Sequence, residues 1–561
     1  MSRRTLAEFE PLLAGEKTLL DGLASGESVP IGGKTVPPAD AGEERQLRGE
    51  FLRYLLLGGC EALDDCDAYV HEKGVRLAGA LITGVLDMEG CRIPRDIVLF
   101  SCRFETAPVL RSAVIDNLFL NHSTLPGLHA DGLEAKGGVF LLDVQAAEVR
   151  LLGAKLGAYL DCTSACLTAG QSGFALVADR LEAKGGVFLR RIQVDGEVRL
   201  LGAKLGGNLS CTDACLTAVQ GGFALSADGL ETKGGVYLCG IQVDGEVRLL
   251  GGRFGGNLDC SDARLTVLRA DGVRVEGAFI LRDKARITNV LDLTGTEIAM
   301  LDDASDCWPP AGGLLLDRCQ YGAITGGPVT AEERIKWLSL QDESRWGKDF
   351  WPQPWEQCAK VLREMGHREE ARKVLIEKEK RQRADRRKGY WFGWRWLSWL
   401  ADFLMCATVA YGHKPLRAFI WLLAFWLIGV GVFSNAAQRH AIKPNDVRII
   451  RAAEWVACAP DYQPDVSLGQ PAARNKTGIS QLECFLDQPE AASYPKFNAL
   501  VYSADTLLPV VAMEMQSYWI PDDSDRGVGM WARRFLWLQI IAGWALSLLA
   551  VAGFSGLIKS D

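Results

Sequence analysis

"GEVRLLGAKLGGNLSCTDACLTA", residues 196 to 218, recurs with few changes as "AEVRLLGAKLGAYLDCTSACLTA" from Ala147 and as "GEVRLLGGRFGGNLDCSDARLTV" from Gly245, a spacing of 49 residues each time. A second phrase lies inside each period: "GLEAKGGVFL" from Gly132, "RLEAKGGVFL" from Arg180 and "GLETKGGVYL" from Gly229. Each period therefore divides into two related turns of about 24 or 25 residues. Within a turn, apolar residues recur two apart in short runs bounded by Gly, Asp or Asn, the pattern of strands and tight turns. One such turn cannot bury its own leucines. Stacked copies can, so the period predicts a solenoid with a continuous core rather than a sandwich.

Looser copies extend the pattern, through "GVRLAGALITGVLDMEGCRI" from Gly74 and "GAFILRDKARITNVLDLTGTEIAML" from Gly277. The solenoid is expected over residues 74–328. Residues 1–73 are read as a helical cap region, because "EERQLRGEFLRYLLLGG" has apolar residues at helical spacing and an open solenoid end would present unpaired strand edges. The phrases "VRLLGAKLGG", "LDC" and "ALSADGL" resemble the degenerate pentapeptide-repeat-like proteins of bacteria. That resemblance covers about half the chain and implies a right-handed parallel β-helix, a fold rather than an activity.

The cysteine pairs Cys162/Cys166 and Cys211/Cys215 invite a zinc reading, since thiolates bind that metal well. The third copy breaks it, with Arg264 four residues after Cys260 and no His in register. The expectation is therefore no metal and no cofactor, with cysteines packed in the coil or on its wall. A sugar-cleaving enzyme would need carboxylates converging in a groove. Asp161, Ser210 and Asp259 share one slot, so the carboxylate is not kept between copies, and such residues read as turn terminators. No Walker loop, nucleophile elbow or dinucleotide fingerprint occurs, so no catalytic residue is assigned and the chain reads as no enzyme. Mimicry of DNA would need a regular acidic face. Arg199, Lys204, Arg248 and Arg253 stand beside Glu197 and Glu246, which makes the face mixed.

A formal net charge of -8 argues against nucleic acid as a partner, because phosphate contacts need a basic footprint. The opening "MSRRTLAEFEPLLAGEKTLL" lacks a continuous apolar run and carries acids, so it does not read as a secretory signal. The first half is accordingly expected in the cytoplasm, where its thiols stay reduced. Near residue 330 the Gly, Leu and Ala bias gives way to a Trp-rich, strongly apolar composition.

Residues 329–389 read as a helical hairpin linker around Met365-Gly366-His367, with Gly366 as terminator and His367 an exposed helix-start residue. Its second helix ends in "KEKRQRADRRK", seven basic residues in eleven. Such a cluster beside a hydrophobic segment holds the cytoplasmic side and attracts anionic lipid. Residues 390–415 follow as an amphipathic helix lying at the membrane interface, because its tryptophans favour the headgroup boundary while Arg395 and Asp402 oppose insertion.

Two segments, 416–437 and 535–558, are long and apolar enough to span a bilayer core of about 30 Å. The basic residues before the first place both termini in the cytoplasm, in a bacterial inner membrane, and the 438–534 loop outside. In that oxidising space Cys458 and Cys484, the only cysteines of the loop, are expected to form a disulfide.

Within the loop, "FNALVYSADTLLPVVAMEMQSYWIPD" from Phe497 resembles the pore helix and filter approach of two-span cation channels. It departs from the potassium filter, whose glycine-containing run supplies carbonyls to the ion. Pro509, Val510, Val511, Ala512 and Met513 contain no glycine. In an oligomer, Asp505 and Glu514 could line a pore as acidic rings. Two functions follow as expectations. The first is a membrane protein presenting a cytoplasmic β-helix as a binding, scaffolding or sensing platform for a protein partner. The second is a homo-oligomeric pore gated by the solenoid.

Overall fold

The structure is a computed structural model that describes residues 5–59, 69–342, 350–389, 391–475, 478–524 and 527–555. The chain divides into two compact units, Met1–Lys378 and Glu379–Asp561.

The first unit is a parallel β-solenoid of about 11 turns. In its central turns four short strands form one circuit, for example Glu134–Ala135, Val139–Phe140, Gln145–Ala146 and Val149–Arg150, each pairing in parallel with its counterpart one turn on. Buried pairs two residues apart recur every five residues: Val139 and Leu141, Val144 and Ala146, Val149 and Leu151, Ala154 and Leu156. That spacing turns the chain through one corner between pairs. It also places each leucine on the leucine or cysteine of the next turn, where full burial of such a side chain stabilises by about 1.5–3 kcal/mol.

The 49-residue period resolves into unequal turns. Glu182 pairs with Lys204 across 22 residues, and Lys204 pairs with Glu231 across 27. The five extra residues bulge outward at Ala169–Gly173 and at Ala218–Gly222, where the ladder register shifts beside Phe174 and Phe223. The average of 24 to 25 read from the sequence is the mean of two different rungs.

The array begins earlier than residue 74. Val29–Pro30 pairs with Val75–Ala78, and Gln46–Arg48 pairs with Leu81–Thr83, so the cap region contributes the first rung. Its helices, α1 (Ala14–Leu23) and α2 (Gly49–Leu56), close the end with Leu19, Phe51, Leu52 and Leu55 fully buried. The buried Glu16 carboxylate is held by Arg48 at 2.6 Å.

At the other end, α3 (Ala331–Leu338) and α4 (Gln353–Glu364) cover the last strand, Gln320–Ile324. Arg334, with no exposed surface, donates both Nη atoms to Asp303 at 2.8 and 2.7 Å and its Nε to the Pro328 carbonyl, between Trp308 and Trp337. Burial pulls the Arg334 pKa down, but the hydrogen bonds and charge of Asp303 more than reverse it, so this cation stays ionised. Gln357 of α4 donates to the Tyr321 carbonyl, which fixes the helix on the strand edge. The hairpin expected as a linker is thus in its first half the solenoid's terminal cap. Its turn at Gly366, with φ of +92°, leads into α5 (Arg368–Lys388).

The second unit contains α6 (Phe392–Val409), α7 (Arg417–Gln438), α8 (Ala499–Leu507) and α9 (Val528–Phe554), with shorter helical turns in the loop between α7 and α8. α7 and α9 are each long and apolar enough to cross a membrane. α9 starts seven residues before the expected 535, because a helix continues through Arg533 and Arg534 where a hydropathy reading stops at the charges. The end expected at 558 falls outside the described residues. α6 terminates at Ala410 and Tyr411, both left-handed at φ of 46° and 55°. It exposes Trp394, Trp396, Trp399 and Phe403. Asp402 of α6 is nearly buried and paired with Arg383 at 3.1 Å and with Arg387. The acid that opposes insertion of α6 is thereby neutralised by the basic end of α5.

Candidate functional site

The two cysteines of each solenoid phrase point opposite ways. Cys162, Cys211 and Cys260 are fully buried and alternate along one interior column with Leu141, Leu189, Leu238 and Leu281. Burial pushes the Cys211 thiol up to about 12 and raises Cys162 and Cys260 further, so these sulfurs remain protonated and are poor metal ligands. Cys166 and Cys215 stand on the outer surface, in register with Gln145, Gln193 and Gln242. Among the described residues no group of His, Cys, Asp and Glu is arranged to hold a metal. In the shared slot, Asp161 and Asp259 each accept from a residue two positions on, Thr163 and Ser261, as turn terminators do.

The outer charges are ordered by the unequal period. Glu134, Lys155, Glu182, Lys204, Glu231 and Arg253 follow one another up a single ladder, opposite charges on successive rungs. A second column pairs Asp131 with Arg150, Asp179 with Arg199, and Asp228 with Arg248. On the first face an open groove of about 1090 Å³ is lined by Lys184, Lys204, Lys233, Arg253 and Arg274, with Glu231 and Glu276.

The second unit holds the more unusual arrangement. α8 is wedged between α7 and α9. Its N-terminus is capped by Asn498, whose side chain accepts from the N–H groups of Leu500 and Val501. The fully buried Ser503 donates to the Trp426 carbonyl of α7 at 2.9 Å and accepts from Gln539 Nε2 of α9 at 2.9 Å. Gly429 and Gly543 make room for this approach: a Cβ at the first would strike Ser503 Oγ, and at the second the Leu507 carbonyl. At its C-terminal end Leu507 packs with Leu422 and Leu546. Leu422 lies 16 residues from the end of α7 at Gln438, about 24 Å of helix at about 1.5 Å per residue.

The chain then returns as an irregular segment, Leu508–Glu514, with a turn at Pro509–Val510. The N–H groups of Val510 and Ala512 donate to no described protein atom, and Val510 is 88% exposed. No family model, curated protein or solved structure matches the chain.

Asp505 and Glu514 flank this segment in different states. The Asp505 carboxylate accepts from Met513 N and from Gln516 N, both at 2.7 Å, so it anchors the returning loop. Glu514 is exposed, in the left-handed region at φ of 60°. Beyond it Trp519–Pro521 pairs antiparallel with Ile442–Pro444, and Lys443 meets Asp522 at 2.8 Å, which ties the two ends of the loop together. Cys458 and Cys484 are joined as a disulfide with Cα atoms 5.8 Å apart, beside the Trp455–Phe485 ring pair.

Ser503 and Gln539 were not legible as partners. The only sequence signal for either was a lone polar residue in an apolar run, and nothing in the spacing connects them.

Proposed function

We propose that this chain is a multi-pass protein of a bacterial inner membrane, with both termini cytoplasmic. On this reading its C-terminal unit assembles as a homo-oligomer around a water-filled path, and its β-solenoid is the cytoplasmic platform on which a protein or ligand acts. The observation that carries the reading is the pairing of α8 with its irregular return. Backbone at hydrocarbon depth with unused N–H groups is tolerated only where other protein or water covers it. In a single chain no described protein atom accepts from Val510 or Ala512, and Val510 stands 88% exposed. A ring of copies would turn these segments toward a common axis, with α8 behind them and the α9 helices alongside. Asp505 then serves as the loop's anchor and Glu514 as the acid left at the mouth.

The exposed tryptophans of α6 and the basic run of α5 support an inner-surface belt that binds anionic lipid headgroups. The groove on the solenoid supports the platform reading, because its cations outnumber its acids on a face otherwise paired rung by rung.

The test is the mass of the complex solubilised in mild detergent, followed by recording in planar bilayers. A multiple of the chain mass, with a conductance altered by Glu514→Gln, is the expected result. A monomeric mass without conductance would remove the pore and leave the platform alone.

A further inference from the structure

The lysine of the repeated phrase "EAKGG" or "ETKGG" stands in two different settings. Lys136 meets Asp116, one rung earlier, at 2.7 Å. Lys184 and Lys233 find glycine there instead, Gly157 and Gly206, and among the described residues no carboxylate lies within 4.0 Å of either lysine. The neighbouring ladder changes in the same way: Lys155 lies 3.4 Å from Glu134, whereas Lys204 forms no ion pair with a described residue. Two rungs on, Arg253 stands directly beside Arg274, a like-charge step that costs stability.

The groove therefore carries one cation on each of five successive rungs: Lys184, Lys204, Lys233, Arg253 and Arg274. At about 4.8 Å per rung this row is about 19 Å long. Gly206 and Gly255 occupy the rungs on either side of Lys233, so no side chain fills the space beside it. Glu231 lies 4.0 Å from Arg253, and Glu276 is exposed at the far end. A small ligand is bound by a site that buries most of its surface, whereas this row is open along its length and suits an extended polyanion.

Two features decide between polyanions. Single-stranded nucleic acid is held by exposed rings on which bases stack, and Phe254, the aromatic residue of the groove wall, is only 1% exposed. A peptide brings acidic side chains for the cations and also backbone N–H donors for the carboxylates of Glu231 and Glu276, which a phosphate backbone lacks. We propose that this groove binds an extended acidic peptide segment of a cytoplasmic protein, with acids at alternate positions. At about 3.3 Å per residue, about six residues span the row. The proposal rests on the platform reading of the solenoid, but peptide binding is measured on purified protein and can fail while that reading stands. Labelling of the surface thiols Cys166 and Cys215 by an impermeant maleimide in inverted vesicles tests the cytoplasmic placement by itself.

The experiment follows the fluorescence anisotropy of a labelled peptide of alternating Glu and Ser, about twelve residues long, with the full-length protein in detergent at about 50 mM salt. Binding should be saturable and should weaken as salt is raised. Lys184→Gln and Lys233→Gln should each weaken it about two- to fivefold, and the double variant about tenfold, with the thermal midpoint unchanged because neither lysine is paired. Lys233→Arg should retain binding, which keeps the charge requirement testable if a glutamine variant proves unstable. Lys136→Gln, the same repeat position outside the groove, should leave binding unchanged. Absence of saturable binding, or binding that the Lys184 and Lys233 variants leave intact, would overturn the site. Equal weakening by Lys136→Gln would mean a general surface attraction and would also overturn it. Tighter binding of an oligothymidylate of equal charge, lost in the same variants, would assign the groove to nucleic acid instead.

Discussion

In the solenoid a charged side chain meets its partner one rung away, at a sequence distance set by the period. In the C-terminal unit a buried polar side chain meets its partner from a different helix: Ser503 reaches Trp426 across 77 residues, and Gln539 reaches Ser503 across 36. Repetition makes the first kind of contact cheap to specify and tolerant of single changes, because each rung repeats its neighbours' solution. The second kind occurs once. Where it is left incomplete, as at Arg533, no neighbouring repeat supplies the missing partner.

The sharpest test of the contrast is at the end cap, where the first unit relies on a single buried pair as the second does. Arg334→Leu leaves Asp303 buried and uncompensated and should cost about 3–5 kcal/mol, read by denaturant unfolding of the purified protein. A loss below about 1 kcal/mol would show that the cap adapts as an ordinary rung does. Next in size, peptide mapping under non-reducing conditions should recover Cys458 linked to Cys484, and Cys458→Ser should destabilise the loop by about 2–4 kcal/mol. Free thiols at both positions in isolated membranes would reverse the proposed topology.

The paired cysteines of the repeat separate interior from surface within one phrase. Cys211→Ser places an unsatisfied hydroxyl in the core and should cost about 1–3 kcal/mol, whereas Cys215→Ser should stay within about 0.5 kcal/mol. The same burial has a pH signature. The Cys211 thiol is raised from 9.0 to about 12, so unfolded chains release this proton before folded ones do. Its contribution is fully present below about pH 9 and falls as pH rises from there toward about 12, which Cys211→Ala should remove. The smallest effect belongs to the outer ladder. Lys204→Glu sets three acids in succession with Glu182 and Glu231, and should cost about 0.2–1 kcal/mol at low salt, less as salt is added.

The differences between expectation and structure follow the same division. The repeat phrase led directly to a parallel solenoid, since copies 49 residues apart in the chain lie two rungs apart in space. It could not show that the rungs measure 22 and 27 residues, because the five-residue bulge leaves the repeat length unchanged. The cap boundary moved from residue 74 to Val29 because Val29–Pro30 and Gln46–Arg48 pair with later strands without sharing their phrase. Asp505 stood out in the sequence as an acid between two spans, yet its role is set by the amides of Met513 and Gln516, which only the returning loop brings to it.

The sequence by itself determined the solenoid, its mixed outer charge and the apolar character of α7 and α9, because each depends on periodicity or composition along the chain. The tertiary structure alone decided which thiols face inward, how Arg334 closes the stack, and that α8 enters between two helices with Arg533 left unpaired. Those outcomes depend on side chains from distant segments sharing one low-dielectric space. There a partner's presence or absence outweighs anything its neighbours in sequence can signal.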